Sequence, residues 1–319
     1  MNEQPRLTGV PVSRPTGVGA SHSTGVPERL STGVPGLDEL LGGGLLPGTL
    51  AVIVGATGIG KTQLGLQFAE AGAIQEGRRG IIFDMTSRGD PQSHAEYAER
   101  MFGRKLSTVD PEAAPDLSDF FAADRRPGDY LNVFRRAGRR VTRHDLSFEE
   151  YQEWQVELGR KLQTTIAFFY GHFIGGCRRA IIDGIEPLER KRDSIQLELF
   201  EYVYHQILRK EPEWVARDLF RELFRSRAEE IAAASYDPRG IGCMLLYTSA
   251  ETMLDPLLER PLEDGDLLAN ANTIIYLGKT RTADGRIGRA LHVAKHRGSA
   301  CSDDIVPFAI DDRGIHMTG

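Results

Sequence analysis

Cysteine is scarce in this 319-residue chain: Cys177, Cys243 and Cys301 lie far apart, with no close Cys or His partners at metal-ligand spacing. That speaks against a disulfide framework or a Cys/His metal module, and it fits reduced thiols in a cytosolic protein, two of them inside strands. Long apolar runs are missing too. No stretch approaches the ~20 residues that cross a bilayer, and the N-terminus lacks the apolar segment of a secretory signal. Both absences predict a cytoplasmic location with no membrane partner. A dominant charge is also lacking: 39 Lys+Arg stand against 45 Asp+Glu, a formal net charge of −6. Such a balance leaves no electrostatic footprint for non-specific nucleic-acid binding, although a local basic patch is compatible with it. The first thirty residues are poor in large apolar side chains. Thr-Gly-Val recurs there at Thr8, Thr16, Thr24 and Thr32, and three copies continue into Pro11, Pro27 and Pro35. Burial cannot offset the ordering entropy of such a segment, so residues 1–29 read as a disordered arm, or as short docking copies, with order beginning near Leu30.

Against these absences stands one dense motif. Gly55-Ala56-Thr57-Gly58-Ile59-Gly60-Lys61-Thr62 fits the spacing G-x-x-x-x-G-K-[ST]. Apolar residues Leu50 to Val54 lead into it as a buried strand should, and Gln63 to Ile74 leave it with helical composition. Glycines let backbone N–H groups turn inward around a polyphosphate, and the helix N-terminus adds positive partial charge. Lys61 can reach the β- and γ-phosphates, and the Thr62 hydroxyl can sit on Mg²⁺. Residues 55–63 are therefore the candidate nucleotide cradle, with a nucleotide polyphosphate and Mg²⁺ as the expected ligands.

The length suits one α/β unit carrying insertions. A second apolar strand is expected at 80–84, a helix from Asp90-Pro91 to about Phe102, and loop or short pieces over 104–128. Ser147-Phe148-Glu149-Glu150 is a capping box that opens a helix to about Tyr170. Arg178 to Asp183 reads as a strand ending in a carboxylate. Two amphipathic helices are expected over 193–209 and 213–234, the second with Ala216, Phe220, Leu223 and Phe224 as core. Strands follow at 242–247 and 273–277, and from Ala290 the tail alternates like antiparallel strands, with turns at Ala283-Asp284-Gly285 and Asp312-Arg313-Gly314. Strands alternating with helices predict a mostly parallel sheet with an antiparallel edge. Asp183, about 120 residues after the cradle, is the candidate second-shell acid for its metal.

Ser31 to Gly44, the Gly55–Thr62 motif, Arg178 to Asp183 and Leu291-His-Val-Ala-Lys-His-Arg-Gly-Ser299 together resemble the KaiC-like branch of the RecA/RadA superfamily. The resemblance covers roughly residues 30 to 318, with extra helical material around 145–170 and 188–235. It implies a RecA-like P-loop core that assembles into rings, commonly hexamers, with ATP between subunits. It also implies that Lys295 and Arg297 reach the γ-phosphate of a neighbouring subunit's ATP, in the manner of an arginine finger.

One departure stands out. KaiC-like domains usually carry two adjacent glutamates just after the second core strand, and Thr86 and Ser87 occupy those positions here. A hydroxyl can orient a water but is no carboxylate base near neutral pH. Asp84 and Glu186 are the candidate substitutes. The expectation is an ATP-binding regulatory or assembly switch with slow or absent hydrolysis. The alternative is an active motor on DNA, supported by Arg135, Arg136, Arg139, Arg140, Arg143 and the Arg190-Lys191-Arg192 cluster. Against it, Ser249 to Asn270 carries Glu251, Asp255, Glu259, Glu263, Asp264 and Asp266, where a DNA-facing loop should be basic or aromatic. A kinase reading lacks the second tandem domain that clock proteins of this kind use. Residues 193–234 or the N-terminal arm are candidate docking surfaces for a protein partner.

Overall fold

The computed structural model describes residues 28–86, 94–122, 125, 127–134, 147–185, 194–259, 270–298 and 302–318. Order at Leu30 agrees with the sequence: its side chain is fully buried and its backbone bridges to Leu45. The last Thr-Gly-Val copy is folded. Thr32 is buried and gives both its hydroxyl and its N–H to Asp38 Oδ1 at 2.6 Å. Asp38 lies in the short helix α1 (Pro35–Leu40). Gly33 sits at φ +80° with its α-carbon against the Gln67 carbonyl, where a Cβ would come within 2.5 Å.

The strand β1 (Leu50–Gly55) is buried along its whole length. Leu50, Val52 and Val54 join one apolar cluster while Ala51 and Ile53 join another, so both faces are covered, as in the middle of a parallel sheet. It is followed by α2 (Lys61–Gln75), β2 (Ile81–Asp84), α3 (His94–Phe102), β3 (Thr108–Val109) and β4 (Tyr130–Asn132). Next come α4 (Phe148–Ile174) and β5 (Arg179–Ile185). Ser147 and Glu150 form the expected capping box, Ser147 Oγ accepting the Glu150 N–H and Glu150 Oε2 accepting the Ser147 N–H.

The chain continues through α5 (Ile195–Val203), a π turn at Tyr204–Leu208, α6 (Pro212–Phe220) and α7 (Ala228–Ala233). The single helix expected over 213–234 is broken instead. Arg221 adopts φ +48°, which an α-helix does not admit, and Leu223 is exposed rather than core. Then follow β6 (Gly242–Thr248), α8 (Leu254–Glu259), β7 (Thr273–Arg281), β8 (Ile287–His296), β9 (Ile305–Asp311) and β10 (Gly314–Met317).

The ten strands form one sheet in the order β10-β9-β8-β7-β1-β6-β5-β2-β4-β3. From β7 through β3 every pairing is parallel, and β7 to β10 pair antiparallel, as the composition of the tail predicts. Leu37, Leu64, Phe68 and Ala98, from α1, α2 and α3, cover one face. Phe169, Phe173, Phe200 and Phe220, from α4, α5 and α6, cover the other. Cys243 is a buried free thiol within β6, and Cys177 is a buried free thiol just before β5. No helix among the described residues is long and apolar enough to cross a membrane. The arginine clusters at 135–143 and 190–192, Ser87, Asp90, Pro91, Glu186, the acidic residues from 263, Ser299 and Cys301 lie outside the described residues.

Candidate functional site

Chain direction places the site. β1, β5, β2 and β6 run parallel, so their C-terminal ends open on one side of the sheet, where α/β folds bind ligands. Beyond Gly55, residues 56–60 turn sharply into α2. Gly58 and Gly60 take φ +75° and +118°, and Gly60 is the N-cap of the helix. Thr57 and Gly58 are exposed, while Ala56, Ile59 and Gly60 are buried. Ile59 packs under the loop and anchors it to the core. Gln63, one turn into α2, is half-buried.

Lys61 is only 7% exposed, and its Nζ donates to the Gly55 and Ala56 carbonyls, both at 2.9 Å. The Gly55 carbonyl also accepts the Ser249 N–H at 3.0 Å, which ties the end of β6 to the loop. Burial pulls the Lys61 ammonium down to about 8, against the opposing attraction of Asp183. The side chain thus lies across its own loop, with a positive charge that the protein solvates poorly. A polyphosphate there would replace carbonyl dipoles by full negative charges.

Asp84 ends β2, and its register partner Asp183 lies two residues before the end of β5, which runs past the expected strand end to Ile185. Asp183 Oδ2 accepts from Thr62 Oγ1 at 3.2 Å and from His94 Nε2 at 2.9 Å, and Oδ1 accepts the Gly184 N–H at 2.7 Å. Burial alone would raise the Asp183 carboxyl. The His94 hydrogen bond and charge, the Lys61 charge and the Gly184 N–H outweigh it and hold the group below the usual carboxylate range. Asp84 is 2% exposed. Its Oδ2 accepts from Tyr130 Oη at 2.5 Å and Asn132 Nδ2 at 2.9 Å, and its Oδ1 accepts the Thr86 N–H at 2.8 Å. The carboxylate is thus committed to β4 and to the end of its own strand.

Lys295 and Arg297 lie elsewhere. Lys295 pairs with Ile274, itself level with Val52, and the Arg297 N–H bonds the Asn272 carbonyl at 2.8 Å. Measured back along the strands from Gly55, Lys295 is therefore three residue steps or ~10 Å away, level with the middle of β1, and Arg297 five steps or ~16 Å away, level with its start; both lie two strands aside. Lys295 is half-buried and Arg297 exposed. Burial, then the neighbouring Arg297 charge, lowers the Lys295 ammonium. The structure thus brings residues 55–63, Asp183 and Asp84 together and sets Lys295 and Arg297 apart.

Three residues of this cluster are absent from the sequence reading: His94, Tyr130 and Asn132. Nothing local marks His94, which opens α3 without a motif. Tyr130 and Asn132 flank Leu131 in an alternating triplet, a strand signal too short to stand alone.

Among the described residues no group of three or more His, Cys, Asp or Glu can hold a metal by itself. The Thr62 hydroxyl and Asp183 carboxylate are, however, hard oxygen donors 3.2 Å apart. Such a pair fits Mg²⁺ shared with phosphate oxygens and water rather than an all-protein cage. Around Gly58 nothing lies within 4 Å of where a Cβ would be, so the loop's outer side is open to a ligand. A family model described as the KaiC ATPase matches residues 30–210. No curated protein gives a significant match.

Proposed function

The chain belongs to the KaiC family of ATPases, a RecA-like P-loop family, and from that premise we propose that this ATP-binding protein is a nucleotide-dependent assembly switch with slow hydrolysis. The observation that carries the reading is the position of Lys295 and Arg297. Lys295 lies ~10 Å and Arg297 ~16 Å back along the strands from this chain's own P-loop and two strands aside, which supports a phosphate of another subunit, rather than of their own, as what they reach. Nucleotide held by one copy then joins it to the next, and occupancy sets the assembly state.

Within a subunit, residues 55–60 would offer backbone N–H groups, Lys61, now bonded to the Gly55 and Ala56 carbonyls, would turn toward the phosphates, and Thr62 with Asp183 would hold Mg²⁺. When bound, Mg²⁺ neutralises charge on the β- and γ-phosphate oxygens. Slow turnover follows from the missing base. Thr86 stands where relatives of this type carry a glutamate, and Asp84 is buried with both oxygens hydrogen-bonded. Exposed Glu251, Asp255 and Glu259 beside β6 and on α8 further disfavour a DNA-facing channel.

Light scattering with and without Mg-ATP, on wild type and Arg297→Ala, with phosphate release followed in the same samples, tests this. Expected are ATP-dependent assembly, turnover below ~0.01 per second, and loss of assembly in the variant. A wild type that stays monomeric under both conditions rules out the interface role of Lys295 and Arg297. Turnover of ~10 per second, typical of competent enzymes, rules out the slow switch.

A further inference from the structure

His94 is the first residue of α3, is 8% exposed, and lies between the Asp84 and Asp183 carboxylates. Its Nε2 donates to Asp183 Oδ2 at 2.9 Å, while Nδ1 is 3.5 Å from Asp84 Oδ2. Its ring also lies beside that of Tyr130, centroids 5.5 Å apart, and Tyr130 is itself bonded to Asp84. A continuous polar chain therefore runs Tyr130–Asp84–His94–Asp183–Thr62, from β4 to the first turn of the P-loop helix.

The lone pairs of Asp183 make this specific. A carboxylate offers about four acceptor sites, two on each oxygen. Thr62 Oγ1 and His94 Nε2 take those of Oδ2, and the Gly184 N–H takes one on Oδ1. One site on Oδ1 remains for a further donor such as a metal-bound water. Without the imidazole, nothing else described on that side of Asp183 fixes the rotation of its carboxylate plane, and the Oδ2–Thr62 contact loses its backstop.

We propose that His94 is a positioning residue, which fixes the Asp183 carboxylate in the orientation that Thr62 and Mg²⁺ require. The proposal rests on the nucleotide site described above and assigns to α3 a part in metal loading. Residues that orient a metal-linked group in this way typically change metal affinity by 10–100-fold when removed.

The test is a Mg²⁺ titration of fluorescent ATP-analogue binding by the full chain, with nucleotide affinity also measured in EDTA, and Mn²⁺ binding read by the loss of its free EPR signal. The variants are His94→Ala, His94→Gln and His94→Asn. A glutamine amide reaches the place of Nε2, whereas an asparagine amide reaches only that of Nδ1. Expected is an EDTA affinity within ~2-fold of wild type for every variant. The half-saturating Mg²⁺ and Mn²⁺ should rise ~10-fold in the alanine and asparagine variants and stay near wild type in the glutamine variant. A wild-type Mg²⁺ midpoint in His94→Ala overturns the proposal. Should the alanine variant not fold, indistinguishable midpoints for glutamine and asparagine overturn it equally. Equal losses in EDTA and in Mg²⁺ for all variants also overturn it, because they mark a packing role. A wild type that binds no nucleotide in either condition overturns the nucleotide site itself, whereas normal wild-type binding with unaltered variants sinks only the role of His94.

Discussion

Gln67 grips Ile315 with both ends of its side-chain amide, Nε2 donating to the Ile315 carbonyl at 2.9 Å and Oε1 accepting the Ile315 N–H at 2.8 Å. The pair joins the P-loop helix to the last strand of the sheet, across 248 positions of sequence. On its other side β10 bonds β9, so Gln67 substitutes for the neighbour that an edge strand lacks. Replacing it by Leu, similar in bulk, leaves a buried backbone donor and acceptor unpaired. The expected loss is ~2 kcal/mol of unfolding free energy in urea. A loss below ~0.5 kcal/mol would show that water satisfies both groups.

The same hairpin constrains the P-loop directly. A Cβ on Gly60, at φ +118°, would lie 2.8 Å from Ile310 Cδ1 and 3.0 Å from Ile315 Cδ1. Gly58, at φ +75°, has nothing within 4 Å. Gly58→Ala should therefore cost only backbone strain, ~1 kcal/mol. Gly60→Ala adds displacement of the hairpin and should cost more, ~2–4 kcal/mol, with a clear loss of nucleotide binding. Thermal unfolding and binding measured on both variants check this. Equal effects would remove the hairpin as the constraint.

His172 supplies a pH dependence. Its Nε2–H donates to the Gly128 carbonyl at 2.8 Å, and burial pushes the imidazole down to about 4, with the carbonyl opposing and the Arg125 charge adding. The unfolded chain, titrating near ~6.5, then binds more protons than the folded one between these two values. Stability therefore falls as pH drops through the window from 6.5 to 4, and this group contributes nothing to the slope above it. Allowing for the part of the ring that water reaches, the effect is ~2 kcal/mol across the window. His172→Gln keeps the donor and removes the titration, so its stability should fall less than that of wild type over the same range. Parallel curves for the two proteins would refute the assignment.

The P-loop was legible because all its requirements fall within eight consecutive residues, Gly55 to Thr62, between an apolar run and a helical one. Asp183 was legible by its place at the end of an apolar strand, and the turn into α4 by the Ser147–Glu150 spacing. What escaped is what needs three dimensions. His94 meets Asp183 across 89 positions, and no local pattern announces it. β4 has three residues, fewer than an alternation needs to be seen, yet it immobilises Asp84. The apolar spacing from Ala216 to Phe224 was real, but it cannot reveal a positive φ at Arg221 that ends the helix early. Lys295 and Arg297 were marked by sequence, whereas their distance from the chain's own P-loop emerged only from strand register.

Arg179 carries contacts that are expensive to lose. It is fully buried at the start of β5, and its guanidinium donates to Glu76, Gln75 and the carbonyls of Ser31 and Phe68. The same group stacks over the Phe68 ring at 4.8 Å. One side chain thus fastens the C-terminal end of α2 and the folded Ser31–Pro35 segment to the sheet. Arg179→Met leaves the buried Glu76 carboxylate without its cation and the Ser31 carbonyl without its donor, and should cost ~3–5 kcal/mol. Arg179→Lys should recover little, because one ammonium cannot replace a planar fork that serves four partners. Pairing Arg179→Met with Glu76→Leu removes the stranded charge, so the double variant should be more stable than Arg179→Met alone. It should still fall short of wild type, since the Ser31 carbonyl remains unpaired and the stacking on Phe68 is lost. Urea unfolding of the three proteins distinguishes these outcomes. A double variant no better than Arg179→Met would mean that Glu76 is not what the arginine chiefly compensates, and that its donors to the Ser31–Pro35 segment dominate.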